Sequence, residues 1–541
     1  MTSSMQSQAL PLSKLPQTSK LFATFLDDFS RVTAYYDHPP TLEGVRASAG
    51  KVTLDPETRQ QVVKILREQN ARFAPGRAVN TATVRNLDRL AAGAVAIVTG
   101  QQVGLFSGPS YSVYKALSAL RWADALTKEG VEAVPVFWLA TEDHDLAEVN
   151  HNFIPGADGN LVELRSAAAS VEDAPVGNVR FGPEIEQAVA QAAETLGDSE
   201  MTDALRAAYR SGETMGSAFG KLFASIFREW GVILMDPYDA EFHRIAEPIY
   251  RAAIENAAEF DELLLARGKE LETAGYHQQV KVTSTSTLLF EIKDGRRTVV
   301  QRSNDHFKVG DQRCTREELL ARISTAPEKF SPNVLLRPIV QDFLLPTLAY
   351  TGGPAEVAYF AQVGVVYERL LQRVTPVLAR FSATIIAPHQ AKLLEKYGLK
   401  LTDLFHGEER LRVLMSQKVL PPSMQQDFAD AAATVKLVME KIRADLQQLD
   451  ATLVDSANTA EAKMKYQVEQ LESRAARAQL TRNEVIERHA RQLSTILFPN
   501  KDLQERQIGG VYFLAKHGFE LLHTLYEAAR QDCPDHQVVY V

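Results

Sequence analysis

The chain has 541 residues, 45% of them apolar and 23% charged, and its 59 basic and 68 acidic side chains leave a net charge of −9. That length exceeds one simple core and predicts two or three domains, while the acidic balance argues against nucleic acid or a membrane surface as a partner. Two cysteines far apart in sequence, Cys314 and Cys533, exclude a disulfide scaffold or a cysteine-rich zinc site and fit a reducing cytoplasm.

The first residues, MTSSMQSQALPLSKLPQ, carry no basic region followed by an apolar core, so no secretory signal is expected. No apolar run approaches the roughly 20 residues of a membrane helix. Residues 1–90 read as a mostly helical lead-in with a turn at DHPP, Asp37–Pro40. The pattern then changes. AVAIVTG (Ala94–Gly100) is a short continuous apolar run of the kind that forms a strand buried on both faces. GPSYSVYKALSALRWADALTK reads as a helix with Pro109 at its first position and Val113, Ala116, Leu117 and Leu120 on one apolar stripe. AVPVFWLA (Ala133–Ala140) is a second buried strand, which makes a βαβ unit with parallel strands and a right-handed crossover. GVILMD (Gly231–Asp236) is a third strand, and a fourth lies within Thr375–Pro388.

The fold class is therefore α/β, with an open, mainly parallel, Rossmann-like sheet. A helical insertion is expected near 155–225 and a mixed one near 275–330. The mixed insertion contains a hairpin turning at Asp294-Gly295 and a helix opened by the capping box TREE, Thr315–Glu318. From Ser423 to Phe498 there is neither Gly nor Pro. Val435, Val438, Ile442, Leu446, Leu449 and Leu453 step by three or four, as do Met464, Val468, Leu471, Ala475 and Ala478. This predicts a coiled-coil hairpin with arms of roughly 25 and roughly 40 residues and a break near Asp450–Thr459. FPNKDLQER (Phe498–Arg506) ends it, and GGVYFLAKHGFELLHTLYEAA reads as one more helix returning to the body. The expected division is 1–90, 91–388, 389–498 and 499–541.

In open α/β sheets ligands bind beyond the carboxyl ends of the strands. Three polar clusters fall on that edge. After the first strand come Gly100, Gln101, Gln102, Gly104 and Gly108, then Ser110, Tyr111 and Lys115 at the start of a helix. Glycines allow close backbone approach, and a helix start offers free N–H groups to a phosphate or carboxylate. The alternative is a tight turn packed by glycines. The stretch is neither a Walker A loop nor GxGxxG. After the second strand come Glu142, Asp143, His144 and Asp145, with Asn150 and His151 nearby. Flanking acids would raise the pKa of His144 and suit it to acid–base work near neutrality; the alternative is a solvated acidic loop. Consecutive residues cannot all face one ion, so no metal site is assigned. Asp236 and Asp239 follow the third strand. A further apolar stretch, Leu335–Gly364, holds Arg337, Gln341 and Asp342, then Gly352, Gly353 and Pro354 opening a helix with Glu356 in its first turn. Polar groups there must pair, Arg337 with Asp342, or serve a ligand.

Four stretches taken together, TGQQVGLFSGPSYSVYKAL, PVFWLATEDHDLAEVNH, NVLLRPIVQDFLLPTLAYTGGPAEVAYFAQ and FPNKDLQER, resemble the cysteine-adding enzyme family of bacillithiol biosynthesis (BshC), in order and across essentially the whole chain. The resemblance implies a Rossmann-like core similar to class I aminoacyl-tRNA synthetases of the cysteinyl kind, with a coiled-coil hairpin that mediates a homodimer. It implies the last step of bacillithiol synthesis, in which cysteine is joined to the amino group of glucosaminyl-malate. It departs from such synthetases in lacking a histidine in the first-strand loop, a KMSKS-like stretch and zinc-binding cysteines. Val103 stands where Pro or Ala is common in the family.

On this reading the enzyme is a carbon–nitrogen ligase with ATP and Mg²⁺ as candidate cosubstrate. His144 takes the amine proton, Asp143 or Asp145 orients it, Lys115 stabilises phosphate, Arg337 holds the malate carboxylate, and the Gly100–Lys115 cradle binds substrate. The competing reading is a dimeric sensor or scaffold that binds a nucleotide or thiol metabolite without turnover.

Overall fold

A computed structural model describes residues 8–541 except 75, 77, 169, 305, 419 and 481–483. The first seven residues of the amino-terminal reading, and the continuity of the second coiled-coil arm across 481–483, lie outside the described residues. Contacts divide the chain into two units. The larger comprises the described residues of Met1–Ile154, Val162–Thr384 and Glu505–Val539; the smaller comprises Pro155–Leu161, Ile385–Gln504 and Tyr540–Val541.

The larger unit is built on a five-stranded parallel sheet. Its strands are β1 (Val95–Gln101), β2 (Ala133–Leu139), β3 (Ile233–Met235), β4 (Thr347–Gly352) and β5 (Val377–Ala379), in the spatial order β5-β4-β1-β2-β3. All seven residues of β2 and all six of β4 are buried, as expected for a parallel sheet covered on both faces. The β1–β2 ladder runs unbroken from Val95↔Ala133 to Gln101↔Leu139, and β4 pairs with the other side of β1, Tyr350 opposite Val98. The chain thus builds outward from β1 through β2 to β3, then returns across β1 to lay down β4 and β5. The reversal falls between β1 and β4, and it opens a crevice at their carboxyl ends.

Helix α1 (Tyr111–Lys128) follows β1, and twelve of its residues are buried, so the expected single stripe is in fact an almost enclosed helix. Ser110, not Pro109, precedes its first turn, because its N–H and hydroxyl both donate to the Ile508 carbonyl, at 2.9 and 2.6 Å. Helix α2 (Ala240–Glu255) follows β3. Helices α3 (Arg337–Leu344) and α4 (Pro354–Leu371) flank β4.

Three expectations differ from the structure. Strand β4, the partner of β1, lies in a segment read only as a loop opening a helix. The fourth strand falls within Thr375–Pro388 as expected: Val377–Ala379 joins the parallel sheet, and Ala383–Ile386 belongs to a different one. The insertion after β2 opens with a strand pair, His151–Pro155 and Leu161–Arg165, before its helices. The last helix is two, Gly510–His517 and Leu521–Ala528, separated at Gly518, whose φ of 73° breaks the helix.

The hairpin at Asp294-Gly295 forms between Ser286–Lys293 and Arg296–Ser303. Both turn residues have positive φ, 51° and 77°, the geometry of a type I′ turn. The hairpin sits within a five-stranded sheet separate from the parallel one.

In the smaller unit, α5 (Pro422–Leu449) and α6 (Val454–Leu480) form the helical hairpin, turning at Asp450. The Asp450 carboxylate accepts from the Thr452 N–H and hydroxyl, which fixes the turn. Met439 of α5 is buried, whereas Val438, Ile442, Leu449 and Leu471 of the apolar seam are exposed. Among the described residues no helix is long and apolar enough to cross a membrane.

Candidate active site

A cavity of about 680 Å³ opens at the reversal between β1 and β4, within the range of roughly 300–1,000 Å³ usual for small-molecule sites. Gly100 and Gln101 from β1, Trp138 from β2 and Tyr350 from β4 form its floor. Tyr111 and Lys115 of α1, Arg337 of α3 and Glu356 of α4 form its walls.

An ion pair spans the crevice. The Lys115 ammonium, 4% exposed, lies 2.7 Å from Glu356 and donates to the Gly100 carbonyl at 2.7 Å and Gln101 Oε1 at 2.9 Å. Its three protons are therefore all engaged within the protein. Burial pulls the Lys115 pKa below its usual value and would push Glu356 up. Glu356 instead lies below the carboxylate range, because Lys115, the Tyr350 hydroxyl (2.6 Å) and the Gly353 N–H (2.6 Å) all point at it. A Cβ on Gly352 would meet the Glu356 Cβ at 2.7 Å, so this close approach requires glycine. The sequence expectation of Lys115 as a phosphate ligand is thereby corrected: it joins the two halves of the sheet. The start of α4 is likewise occupied by its own Glu356.

Arg337 does not pair with Asp342. It donates to Gln341 Oε1 at 3.0 Å and the Tyr359 hydroxyl at 2.8 Å and lies over the rings of Tyr350 and Trp138. Asp342 instead accepts from Gln341, Tyr367 and Thr375. Those two bonds use two of the five guanidinium donors, on a cation that faces the cavity. Arg380 also lines the wall, tied to the buried Glu505 at 2.6 Å.

The opposite wall carries acids. Glu142, 7% exposed, is pushed up to about 7 by burial, with Arg297 pulling the other way. Its Oε1 has no hydrogen-bond partner among the described residues. Asp143 accepts from Gln102 at 2.7 Å, and Gln102 also donates to Glu148 at 2.8 Å. Gln101 bridges Lys115 and the Tyr111 hydroxyl. The two adjacent amides thus brace the loop after β1 on both sides.

His144 and Asp145 are not among the residues lining the cavity. Arg297, reaching over from the Arg296–Ser303 strand, lies 3.2 Å from His144 Nδ1. A guanidinium can only donate, so this nitrogen accepts, and the ring faces a cation rather than acids alone. The Asp143 carboxylate is 3.6 Å from the same nitrogen and accepts from the His144 backbone N–H. Asp145 caps the short helix Leu146–Val149 through the Glu148 N–H.

Gly104, Gly108 and His151 line a smaller neighbouring cavity of about 210 Å³, shared with Gln101, Gln102 and Tyr111. Its loop holds Phe106, Ser107 and Gly108 at positive φ, pinned by Asn152, which donates to the carbonyls of Leu105, Phe106 and Gly108. Ser110 is committed to Ile508, and Asn150 accepts from Arg165 at 2.8 Å. Gly353 lines the main cavity. The third expected cluster is structural: Asp236 accepts from Thr141 at 2.5 Å, and Asp239 caps α2 and holds Gln69.

Sequence reasoning passed over Glu142 as a site residue, although it stood in the acidic run. It also missed Glu356, Arg297, Arg380, Tyr350 and Tyr359. Glu356 carried a signal, its place one turn after Gly-Gly-Pro; Arg297 carried none. Among the described residues, no group of three or more His, Cys, Asp or Glu is placed to hold a metal ion.

Comparison with known proteins adds the following. Residues 5–381 match the family described as "Bacillithiol biosynthesis BshC, N-terminal Rossmann-like domain", and residues 383–541 match "Bacillithiol biosynthesis BshC, C-terminal coiled-coil domain". A protein of Koribacter versatilis is 50% identical over 98% of this chain and 99% of its own length. One of Solibacter usitatus is 37% identical over 98% of each chain, and one of Salinibacter ruber is 33% identical over 96% of each. All three carry the name "Putative cysteine ligase BshC".

Proposed function

Because the chain belongs to the BshC family of bacillithiol biosynthesis, we propose that it is a ligase joining cysteine to the amino group of glucosaminyl-malate in the cytoplasm, as the last step of that synthesis. The observation that carries the reading is the cavity at the β1–β4 reversal, with a cationic guanidinium on one wall and a buried carboxylate near neutrality on the other. Amide formation requires both: a holder for an anionic substrate and an acceptor for the proton that the amine loses.

In this scheme Arg337 grips the malate carboxylate with its planar fork. The cysteine carboxylate must first be activated, and ATP with Mg²⁺ would supply that activation. The amine nitrogen then attacks the acyl carbon, the C–N bond forms, the activating group departs with its electron pair, and one N–H proton is released. Glu142 accepts that proton, a role that suits a carboxylate with an unpartnered oxygen and a pKa of about 7. It replaces His144, whose Nδ1 is engaged by Arg297. Lys115 and Glu356 hold the two strand ends in register beneath the substrate. The exposed seam residues Val438, Ile442, Leu449 and Leu471 would be covered in a homodimer formed through the helical hairpin.

Purified protein incubated with cysteine, glucosaminyl-malate and ATP·Mg²⁺ tests the chemistry. The reading expects the amide product, and AMP or ADP formed alongside it names the activated intermediate. Tight binding of either substrate with no product would favour a sensor.

A further inference from the structure

Behind the cavity wall Glu142 faces two buried groups that the scheme above does not use. His243 and Tyr250 lie seven residues apart on α2, and so on one face of the helix. His243 Nδ1 is 3.0 Å from the Tyr250 hydroxyl, and His243 Nε2 is 3.7 Å from Glu142 Oε1. Neither Nε2 nor Oε1 has a hydrogen-bond partner among the described residues, and His243 is 1% exposed. Two buried, unpartnered polar atoms that face each other are rare in folded proteins. Their separation exceeds an ordinary N–H···O bond by less than about 1 Å, which a small rotation of the carboxylate closes.

We propose that Tyr250, His243 and Glu142 form a phenol–imidazole–carboxylate relay, in which His243 is a positioning residue that aims Glu142 at the amine. The proposal rests on the reading of the cavity as the ligase site. The relay assigns one tautomer of His243: the Tyr250 hydroxyl donates to Nδ1, so that Nε2 carries the imidazole proton and presents it to Glu142. Burial holds His243 at about 4, so the ring is neutral at pH 7. The charged groups acting on Glu142 are Arg297, Asp236 and Arg337, and Tyr238 also senses it; those acting on His243 are Glu328 and Asp239, and the Phe330 backbone also acts on its ring.

The test is an infrared titration of the full-length protein, following the carboxyl band that disappears in Glu142→Gln. A neutral donor favours the charged carboxylate. His243→Leu should therefore raise the Glu142 midpoint by about one pH unit, a tenfold weaker acid. His243→Gln keeps an N–H donor and should return the midpoint most of the way to wild type. Tyr250→Phe, which removes only a hydroxyl and keeps the helix packed, should raise it by about half a pH unit, a threefold weaker acid. A midpoint unchanged in both His243→Leu and Tyr250→Phe overturns the relay, as does an equal shift in His243→Leu and His243→Gln. Restoring bacillithiol to a deletion strain separates this from the wider reading. If the wild-type gene fails to restore the thiol, the ligase reading falls, whereas an unmoved midpoint removes the relay alone.

Discussion

Replacing Glu142 by glutamine removes a carboxylate that folding takes out of water and keeps its shape. The pKa is about 7 in the fold, against an ordinary 4.5. Between those two values the folded chain holds a proton that the unfolded chain has released, so wild-type stability falls as pH rises from 4.5 to 7. The full difference corresponds to about 3 kcal/mol, all of it present below the unfolded value and gone above the folded one. With roughly 2 cal/mol/K of unfolding entropy per residue, 541 residues convert this into a Tm difference of about 3 °C. Thermal melts of wild type and Glu142→Gln from pH 4 to pH 8 measure it. The gap, variant minus wild type, should widen by about 3 °C as pH rises across that range. A gap that stays constant with pH would refute the buried, near-neutral carboxylate, and with it the choice of Glu142 as base.

Lys115→Met strands Glu356 in the interior and should destabilise the protein by about 3–5 kcal/mol; pairing it with Glu356→Gln should recover most of that loss in denaturant melts. Arg337→Lys keeps the charge but loses the fork and the stacking on Tyr350 and Trp138. It should raise KM for the carboxylate substrate at least tenfold, since one lost hydrogen bond to a charged group is worth about 1.5–3 kcal/mol in binding, and lower Tm by a few °C through the lost bonds to Gln341 and Tyr359. Val438→Glu with Ile442→Glu places charge on the exposed seam. It should convert a dimer to a monomer in sedimentation without loss of helicity, and an unchanged sedimentation coefficient would remove the hairpin as the dimer surface.

Strands β1 and β2 were legible because a strand buried on both faces is a continuous apolar run bounded by turn residues. Strand β4 was not, although it is equally buried. It sits inside the long apolar stretch Leu335–Gly364 with helices on either side, and hydrophobic periodicity cannot separate a short buried strand from a buried helix. The same limit shaped the site. The edge carrying the cavity followed from the strand ends alone, and Gly100, Gln101, Tyr111, Lys115, Asp143, Arg337 and Gly353 do line it. Their partners were out of reach. Lys115 looked like a free cation because Glu356 is 241 residues on, and His144 looked like a base among acids because Arg297 approaches from a distant hairpin. Sequence neighbours set the expected electrostatics of both residues, and the topology supplied different ones.

The central claim is that the β1–β4 cavity makes an amide between cysteine and an amino sugar conjugate, with Glu142 taking the proton. Thiol mass spectrometry on cell extracts tests it most directly, with the gene deleted and then restored as wild type, Glu142→Gln or His144→Ala. Deletion should abolish bacillithiol and accumulate glucosaminyl-malate, wild type and His144→Ala should restore the thiol, and Glu142→Gln should not. Bacillithiol unchanged on deletion, or restored fully by Glu142→Gln, would contradict the account.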